Sequence, residues 1–233
     1  MITLAIDTAT PAPSLAVLRD GAVLGERTPE HTDGAGRRVA EEIHRLLVDA
    51  DLAIGDVDEI VVGVGPGGFT GLRIGIATAL GLGQALAVPV RGVASIEALA
   101  LGLAAASPDG ALIVPVIDAK RQEVFAAGYR VAGNGSMVTV IEPHATSAAG
   151  LGERLSGLAG PIILGGDGVH RCGDLLGGAI KALDAASPAN LVRAVLLAQR
   201  ARSGGARPAS PLYLRLPDAE VNRIKRASEG APA

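Results

Sequence analysis

Two aspartates follow apolar segments of similar sequence and are the first candidates for chemistry. Asp7 ends the segment ITLAID, and Asp118 ends the segment ALIVPVID. Carboxylates at strand ends, together with nearby hydroxyl groups and glycine amides, can hold Mg²⁺, phosphate and a nucleoside between two lobes. In this sequence the residues predicted at or near strand ends with these groups are Asp7, Thr8, Thr10, Asp118, Gly165, Gly166 and Asp167. A cleft can persist after its chemistry is lost, so these residues are interpreted as a possible vestigial nucleotide cleft.

The glycine-rich segment GVGPGG at 63–68 has the spacing of a dinucleotide-binding turn. No acidic residue stands about 20 positions later, where it would bind a ribose. Thr70 has no adjacent Lys, which a phosphate-binding P-loop requires. The amides of this turn could hold an anion. A tight connection between a strand and a helix is the better interpretation.

Histidine and cysteine spacing argues against a metal site or a nucleophile. His31, His44, His144 and His170 include no pair four residues apart, which excludes a helical two-histidine zinc site. Cys172 is the one cysteine, so a multi-cysteine metal site and an intramolecular disulfide are excluded as well. The Gly-x-Ser-x-Gly pattern of a hydrolase nucleophile does not occur. We therefore expect neither a metal site nor a catalytic residue in this chain.

Composition limits the partners that the chain can bind alone. Apolar residues make up 48% of the 233 positions, but two Phe, two Tyr and no Trp leave little surface for stacking nucleic-acid bases. The formal net charge of −3 also predicts that the chain does not bind tRNA by itself. The single cysteine and an N-terminus without a basic signal-peptide region predict a cytoplasmic location. The uncharged segment 74–90 is predicted to be a buried helix and not a membrane span.

The first part of the chain predicts three strands followed by alternating helices and strands. Asp20-Gly21 is a two-residue hairpin signal between the second and third strands. Ser95 is predicted to cap the last helix of this part. The predicted strands are Ile2–Asp7, Ser14–Arg19, Ala22–Arg27, Val57–Val64 and Val88–Val93, and the predicted helices are Gly36–Ala50, Thr70–Ala87 and Ser95–Ala106.

The second part of the chain begins this order of strands again. The predicted strands are 111–118, 123–131, 136–142 and 161–164, with a turn at Gly133–Gly135, and the predicted helices are 147–158, 169–183 and 191–201. A repeat on this scale predicts two related lobes. We expect an α/β protein with a first lobe at residues 1–108, a smaller second lobe at 109–217 and a flexible tail at 218–233.

The predicted helix at 70–87 carries a ridge of small residues. Gly71, Gly75, Ala79 and Gly83 recur every four residues, and Leu72, Ile76 and Leu80 lie beside them. Each helical glycine costs roughly 1 kcal/mol relative to alanine, so a close contact must offset this cost. That contact could be an internal helix or a helix of another subunit, and the sequence leaves both open.

Several segments of the chain resemble the TsaB family, the dimerization subunits of bacterial tRNA threonylcarbamoyladenosine synthase. The similar segments are LAIDTAT at 4–10, GPGGFTGLRIG at 65–75, PVRGVASIEAL at 89–99, PVIDAKR at 115–121 and PLYLR at 211–215. Gly68 stands where the family usually has Ser. The resemblance covers about residues 1–215. It implies an actin-like ATPase fold built from two ribonuclease H-like lobes, the second reduced.

The resemblance also implies partners and a role. The family's subunit is non-catalytic and pairs with the paralogue TsaD, which threonylcarbamoylates the adenosine beside the tRNA anticodon. The implied assembly includes the TsaE ATPase, tRNA bound only through the complex, and ATP or ADP at the subunit junction, with a homodimer when TsaD is missing. Pairing through the first two helices implies these interface residues: Val39, Ile43, Leu46, Gly71, Leu72, Gly75, Ile76, Ala79, Leu80 and Gly83. An alternative is a small-molecule kinase or ATPase that uses Asp7 and Asp118.

Overall fold

The computed structural model describes residues 1–28, 35–132 and 136–215. The predicted turn at Gly133–Gly135, the predicted tail at residues 218–233 and His31 lie outside the described residues. All the predicted strands and helices lie inside them, so the order of elements can be compared with the prediction.

The first part of the chain forms a five-stranded sheet with three helices. Its elements are β1 (Ile2–Asp7), β2 (Ser14–Arg19), β3 (Ala22–Arg27), α1 (Ala35–Asp49), β4 (Glu59–Gly63), α2 (Phe69–Leu86), β5 (Val90–Val93) and α3 (Ser95–Ala105). The sheet order is β3-β2-β1-β4-β5. β1 pairs antiparallel with β2 and parallel with β4, so it is the central strand.

The hairpin between β2 and β3 is the one predicted from Asp20-Gly21. Both residues have positive φ, 53° at Asp20 and 91° at Gly21. Two successive positive values are typical of a type I′ turn, whose twist matches that of the flanking strands. Local turn chemistry was therefore sufficient to predict this part of the sheet.

The second part of the chain repeats the topology of the first. Its elements are β6 (Leu112–Lys120), β7 (Glu123–Val131), β8 (Met137–Ser147), α4 (Ala148–Leu155), β9 (Ile162–Gly165), β10 (Ile180–Ala182) and α5 (Ala194–Arg200). The sheet order is β10-β9-β6-β7-β8, in which β6 pairs antiparallel with β7 and parallel with β9. β1 and β6 are therefore equivalent central strands, and the predicted repeat of strand order is confirmed.

Helices and sheets alternate in five layers. The side chains of β1 point alternately to two cores: Leu4 and Ile6 pack with α1 and α2 on one face of the first sheet, and Ala5 packs on the other face. The second sheet has its outer core against α4, where Leu151 and Leu155 are buried. This layering agrees with the predicted α/β protein of two related halves.

The middle layer consists of α3 and α5. Leu99 of α3 and Leu197 of α5 belong to one core with Val61 of the first sheet and Ile113 and Phe125 of the second. Because this core joins both sheets, the two halves are packed together through these helices. The predicted boundary between residues 108 and 109 falls between α3 and β6, and the division into lobes at that residue stays a prediction.

One predicted helix is wrong. The segment 169–183 forms two 3₁₀ turns, Val169–Arg171 and Gly173–Leu175, and then the short strand β10. Gly177 and Gly178 have φ values of 147° and 55° between the turns and the strand, a conformation that ends helical structure. β10 pairs parallel with β9, so it completes the second sheet. The second half is therefore reduced in its helices and not in its number of strands.

No helix in the described ranges, with gaps at 29–34, 133–135 and 216–233, has the length and apolar character needed to cross a membrane.

Candidate functional site

Asp7 lies at the end of β1 and is completely buried. Its Oδ2 atom accepts a hydrogen bond from Ser95 Oγ at 2.5 Å, and its Oδ1 atom accepts one from the Ala9 N–H at 2.9 Å. Burial raises the pKa of Asp7 to about 6, because it disfavours the charged form more than these two hydrogen bonds favour it. Both carboxylate oxygens therefore bind donors of the same chain.

Ser95 does not cap α3, which corrects the prediction. The capping position is Ala94, and Ser95 is the first helical residue. Its hydroxyl donates to Asp7 and accepts a hydrogen bond from the Gly65 N–H at 3.2 Å. A hydrogen bond that a hydroxyl donates to a carboxylate is stronger than one between neutral groups. The Ser95 hydroxyl therefore points to Asp7 at the end of β1.

Glycines bring the turn between β4 and α2 into direct contact with the chain that follows β1. An added Cβ on Gly63 would lie 1.8 Å from Asp7 Oδ2, and one on Gly67 would lie 2.1 Å from the Ala9 carbonyl oxygen. The Gly68 N–H donates to that same oxygen at 2.7 Å. The glycine-rich segment therefore forms the predicted tight turn, and the contact uses the Gly68 amide that an anion would need.

Thr8 and Thr10 are also engaged within the chain. Thr8 Oγ1 donates a hydrogen bond to the Gly71 carbonyl oxygen at 2.7 Å. Thr10 is half-buried, and its hydroxyl donates to the Ala12 carbonyl oxygen at 3.3 Å. The hydroxyl hydrogens predicted to face a nucleotide therefore point to backbone oxygens.

Asp118 lies in β6, near its end, and its side chain is ion-paired. Oδ1 accepts a hydrogen bond from Arg171 Nε at 2.7 Å, and Oδ2 accepts one from Lys120 Nζ at 2.9 Å. Burial opposes ionisation, but the hydrogen bonds from Arg171 and Lys120 outweigh it and hold the pKa of Asp118 well below its usual range. Its negative charge is thus neutralised by two cations of the same chain.

The remaining predicted cleft residues surround Asp118 and α3. Asp167 Oδ1 accepts a hydrogen bond from the Asp118 N–H at 3.0 Å, so these two residues lie together as predicted. Gly165 and Gly166 are buried: an added Cβ would lie 2.0 Å from Leu103 Cδ2 and 2.3 Å from the Val116 carbonyl oxygen, respectively. Within the described residues, no hydrogen bond or ion pair joins this group to the group around Asp7.

The residues at the carboxyl ends of β1 and β6 do not fit a bound nucleotide in this structure. A Mg²⁺ ligand needs an accessible carboxylate oxygen, whereas Asp7 is fully buried and Asp118 is paired with cations. Thr8, Ala9 and Leu103 occupy the space beside the glycines that could otherwise surround a phosphate. In the part of the chain that the structure describes, no group of three or more His, Cys, Asp or Glu side chains could hold a metal ion.

Neither Cys172 nor His170 makes a hydrogen bond to another side chain among the residues that the structure describes. Cys172 is buried, and burial raises the pKa of its thiol. His170 is exposed on a 3₁₀ turn, with its Nδ1 atom 2.7 Å from the Asp167 carbonyl oxygen. A raised thiol pKa lowers the thiolate fraction and with it the reactivity.

The ridge of small residues on α2 faces the chain's own sheet. An added Cβ on Gly75 would lie 2.2 Å from Thr8 Oγ1, and one on Gly83 would lie 2.2 Å from Val90 Cγ2. Ala79 between them has no exposed surface. Of the two possibilities that the sequence left open, the contact is internal, but Thr8 after β1 and Val90 of β5 make it and not a helix. The ridge therefore has no room for a helix of another subunit.

Most of the ten predicted interface residues therefore belong to the core. Those that are buried are Val39, Ile43, Leu46, Leu72, Gly75, Ile76, Ala79 and Gly83. Gly71 is half-buried, and Leu80 is 46% exposed. Whether a partner binds these helices stays a prediction, and it would have to use their outer faces.

The outer face of α2, as the term is used below, consists of the exposed residues Arg73, Ala77, Leu80, Gly81, Gln84 and Ala85. Arg73 is the one charged residue in all 18 positions of the helix. The adjacent helix α1 exposes charged and polar side chains instead, among them His44, Arg45 and Asp49. An apolar stripe bordered by charged residues is typical of a protein interface.

A cluster that sequence reasoning missed lies at the start of α2. The rings of Phe69 and Tyr213 stack with centroids 5.5 Å apart, and the Arg73 guanidinium carbon lies 3.7 Å from the Phe69 centroid. Residues so far apart in sequence carry no local signal of contact. All three lie in segments that resemble the TsaB family, and this was the available clue.

The comparisons with known proteins agree on one family. The family model described as TsaD, tRNA N6-adenosine threonylcarbamoyltransferase, matches residues 32–155. The Bacillus subtilis tRNA threonylcarbamoyladenosine biosynthesis protein TsaB is 34% identical over 163 residues, 70% of this chain and 69% of that protein. An uncharacterized Mycobacterium tuberculosis protein is 37% identical over 225 residues, 93% of both chains.

A solved structure agrees with the sequence relatives. YeaZ from Pseudomonas aeruginosa superposes with a TM-score of 0.73 at 27% identity, covering 91% of this chain and 99% of that chain. The sequence relatives and the matching fold together cover the region in which the five quoted segments lie. The chain therefore belongs to the TsaB family, whose named members are tRNA threonylcarbamoyladenosine biosynthesis proteins.

Proposed function

We propose that this chain is a non-catalytic scaffold subunit that supports a TsaD-type transferase in threonylcarbamoylation of the adenosine beside the tRNA anticodon. The TsaB relatives are named for this biosynthesis. The observation that carries the non-catalytic part is the state of Asp7, which is fully buried with both oxygens bonded to Ser95 and Ala9. A carboxylate in this state has no solvent-exposed oxygen to offer a metal ion or a substrate.

The second aspartate supports the same proposal. Asp118 is paired with Arg171 and Lys120, so a cation would have to displace both. ATP or ADP, as part of an assembly, would then bind at the junction between subunits and not between the ends of β1 and β6. We propose no chemical step for such a nucleotide in this chain.

Partner choice follows from the family model. The TsaD model matches a stretch that includes all of α1 and all of α2. A transferase of that family would therefore carry counterparts of both helices, and two similar faces can pack about a pseudo-two-fold axis. We propose that the outer face of α2 makes this contact. Without the transferase, the same face would pair two copies of this chain, while the TsaE ATPase and tRNA would join only the complete complex.

Two exposed alanines give a matched test of this face. Ala77 lies on the outer face of α2, and Ala149 lies on α4 of the second half. Ala77→Arg should weaken binding to the TsaD protein of the same organism by about 100-fold or more, because it introduces a bulky charge into an apolar contact. Ala149→Arg should leave the affinity, measured by isothermal titration calorimetry, unchanged. Unchanged binding by folded Ala77→Arg would contradict the proposed face.

The alternative function is a small-molecule kinase or ATPase. It is favoured by the equivalent positions of Asp7 and Asp118 on the two central strands. ATP turnover by the isolated chain distinguishes the two functions. We expect none above background, whereas turnover abolished by Asp118→Asn would establish the alternative.

A further inference from the structure

The three side chains of Phe69, Arg73 and Tyr213, called the surface stack below, form one connected group. Arg73 Nε donates a hydrogen bond to the Tyr213 hydroxyl at 2.9 Å, and its guanidinium carbon lies 5.9 Å from the Tyr213 ring centroid. Phe69 and Arg73 come from the first turns of α2, whereas Tyr213 comes from the other end of the chain. The stack therefore joins the partner-facing helix to the C-terminal segment 206–215.

Two of the few aromatic residues in this chain are exposed in the surface stack. The sequence contains four aromatic residues. Phe125 and Tyr129 are 7% and 2% exposed in the core, but Phe69 and Tyr213 are 38% and 42% exposed. Aromatic and arginine side chains that are grouped at a surface are enriched among the residues that dominate binding energy at interfaces.

The C-terminal segment is held in place independently of the stack. The backbone N–H groups of Gly92 and Arg207 each donate to the other residue's carbonyl oxygen, at 2.8 and 2.9 Å, and the Leu212 N–H donates to the Val64 carbonyl oxygen at 2.7 Å. Arg215 Nη1 also lies 2.8 Å from Glu123 Oε2. Because backbone hydrogen bonds before Tyr213 and the Arg215 side chain after it hold the segment, fastening it does not require an exposed aromatic contact. The tyrosine is thus pre-organised, which reduces the entropy lost on binding.

We infer that the surface stack is the anchor of the interface with the TsaD-type partner, and that the segment 206–215 is part of that interface. The inference rests on the proposed pairing through the outer face of α2, which begins at Arg73. The occupant is the partner's counterpart of α2, since the TsaD family model extends across this helix.

Arg73 indicates the chemistry that the partner helix presents. Its Nε–H is bonded to Tyr213, and its other N–H groups have no hydrogen-bond acceptor among residues 1–28, 35–132 and 136–215. A carboxylate on the partner would match these donors in bidentate geometry. The stack therefore combines an apolar ring surface with one cationic contact.

The test measures affinity for the purified TsaD protein of the same organism by isothermal titration calorimetry, using the full chain. Tyr213→Ala and Arg73→Ala should each weaken binding by about 10-fold or more, as expected for an interface anchor. Tyr213→Phe keeps the ring and should stay within about 3-fold of wild type. Leu191→Ala is the control, because Leu191 is 37% exposed at a different place on the chain. Raising the salt concentration should weaken binding of wild type more than binding of Arg73→Ala.

The outcomes separate this inference from the proposed function. If Ala77→Arg blocks binding while folded Tyr213→Ala and Arg73→Ala bind within about 3-fold of wild type, the stack inference is overturned and the pairing face stands. If none of the three changes binding, both are overturned. If Tyr213→Ala lowers the melting temperature, its weaker binding could come from unfolding, and the affinity of Arg73→Ala then decides whether the stack is the anchor. Arg73 takes no part in the backbone hydrogen bonds that hold the segment.

Discussion

The carboxyl ends of β1 and β6 are equivalent places in the two sheets, yet they hold their aspartates in opposite ways. Asp7 is buried among neutral groups, and its pKa is raised to about 6. Asp118 is bound to Arg171 and Lys120, and its pKa is lowered. The two halves share the residue type near the end of the central strand but not its environment. An aspartate at a topologically correct position is therefore insufficient evidence for a nucleotide site.

The glycines beside these strands differ in the same way. Gly63 and Gly165 are the last residues of β4 and β9, the strands that pair parallel with β1 and β6. A Cβ on Gly63 would meet the carboxylate of Asp7 at 1.8 Å, whereas one on Gly165 would meet a methyl group of Leu103 at 2.0 Å. A leucine methyl group can move by rotation, but the Asp7 carboxylate is held by two hydrogen bonds. The first sheet should therefore be less tolerant of substitution.

Substitution of these two glycines should produce the largest difference between the halves. Gly63→Ala should lower the free energy of unfolding by about 3 kcal/mol or more, and Gly165→Ala by about 1 kcal/mol. Urea unfolding followed by circular dichroism measures both. Gly81→Ala is the control, because Gly81 has no atom within 4 Å of an added Cβ and the helix should gain up to about 1 kcal/mol. Equal losses for Gly63→Ala and Gly165→Ala would show that the two ends are packed alike.

Asp118→Asn should have a smaller effect, with a defined pH dependence. Because the folded-state pKa of Asp118 is lowered, its ion pairs stabilise the protein above the unfolded value of 3.8, and this contribution disappears as pH falls towards the folded value. Asp118→Asn should cost about 2 kcal/mol at pH 7 and progressively less below about pH 4. Urea unfolding at pH 3 to 7 measures the difference from wild type. A difference that is independent of pH would contradict the ion-pair account.

Asp7→Asn should change the free energy of unfolding in the opposite direction and by the smallest amount. Because the folded-state pKa of Asp7 is raised to about 6, ionisation destabilises the folded protein, and stability is lost as pH rises from about 4 through 6. Asn removes this cost but loses one good acceptor for Ser95. We expect the variant to be about 1 kcal/mol more stable than wild type at pH 8, with the advantage shrinking towards pH 4. An advantage that grows on acidification would contradict the burial of Asp7.

Much of the fold could be predicted from local patterns. The Asp20-Gly21 turn, the apolar strands and the similar segments ending at Asp7 and Asp118 were sufficient to predict two sheets of the same topology. The helix predicted at 169–183 failed because apolar spacing in a glycine-rich segment does not distinguish a helix from short turns followed by a strand.

The candidate site was harder to predict than the fold. The small-residue ridge on α2 indicates a close contact, but spacing alone cannot say whether that contact is Thr8 of the same chain or another subunit. The role of Ser95 depended on where β1 ends in space, and the stacking of Tyr213 on Phe69 depended on the path of the C-terminal segment. Such contacts are set by tertiary structure, so no local pattern records them.

The most direct test of the account uses the two equivalent aspartates together. The double variant Asp7→Asn with Asp118→Asn, assembled with the TsaD protein, TsaE and tRNA, is compared with wild type for the rate of threonylcarbamoyladenosine formation. The account predicts a rate within about 2–3-fold of wild type, because neither carboxylate takes part in the chemistry. A loss of about 100-fold or more in a folded and fully assembled complex would contradict it and identify this chain as catalytic.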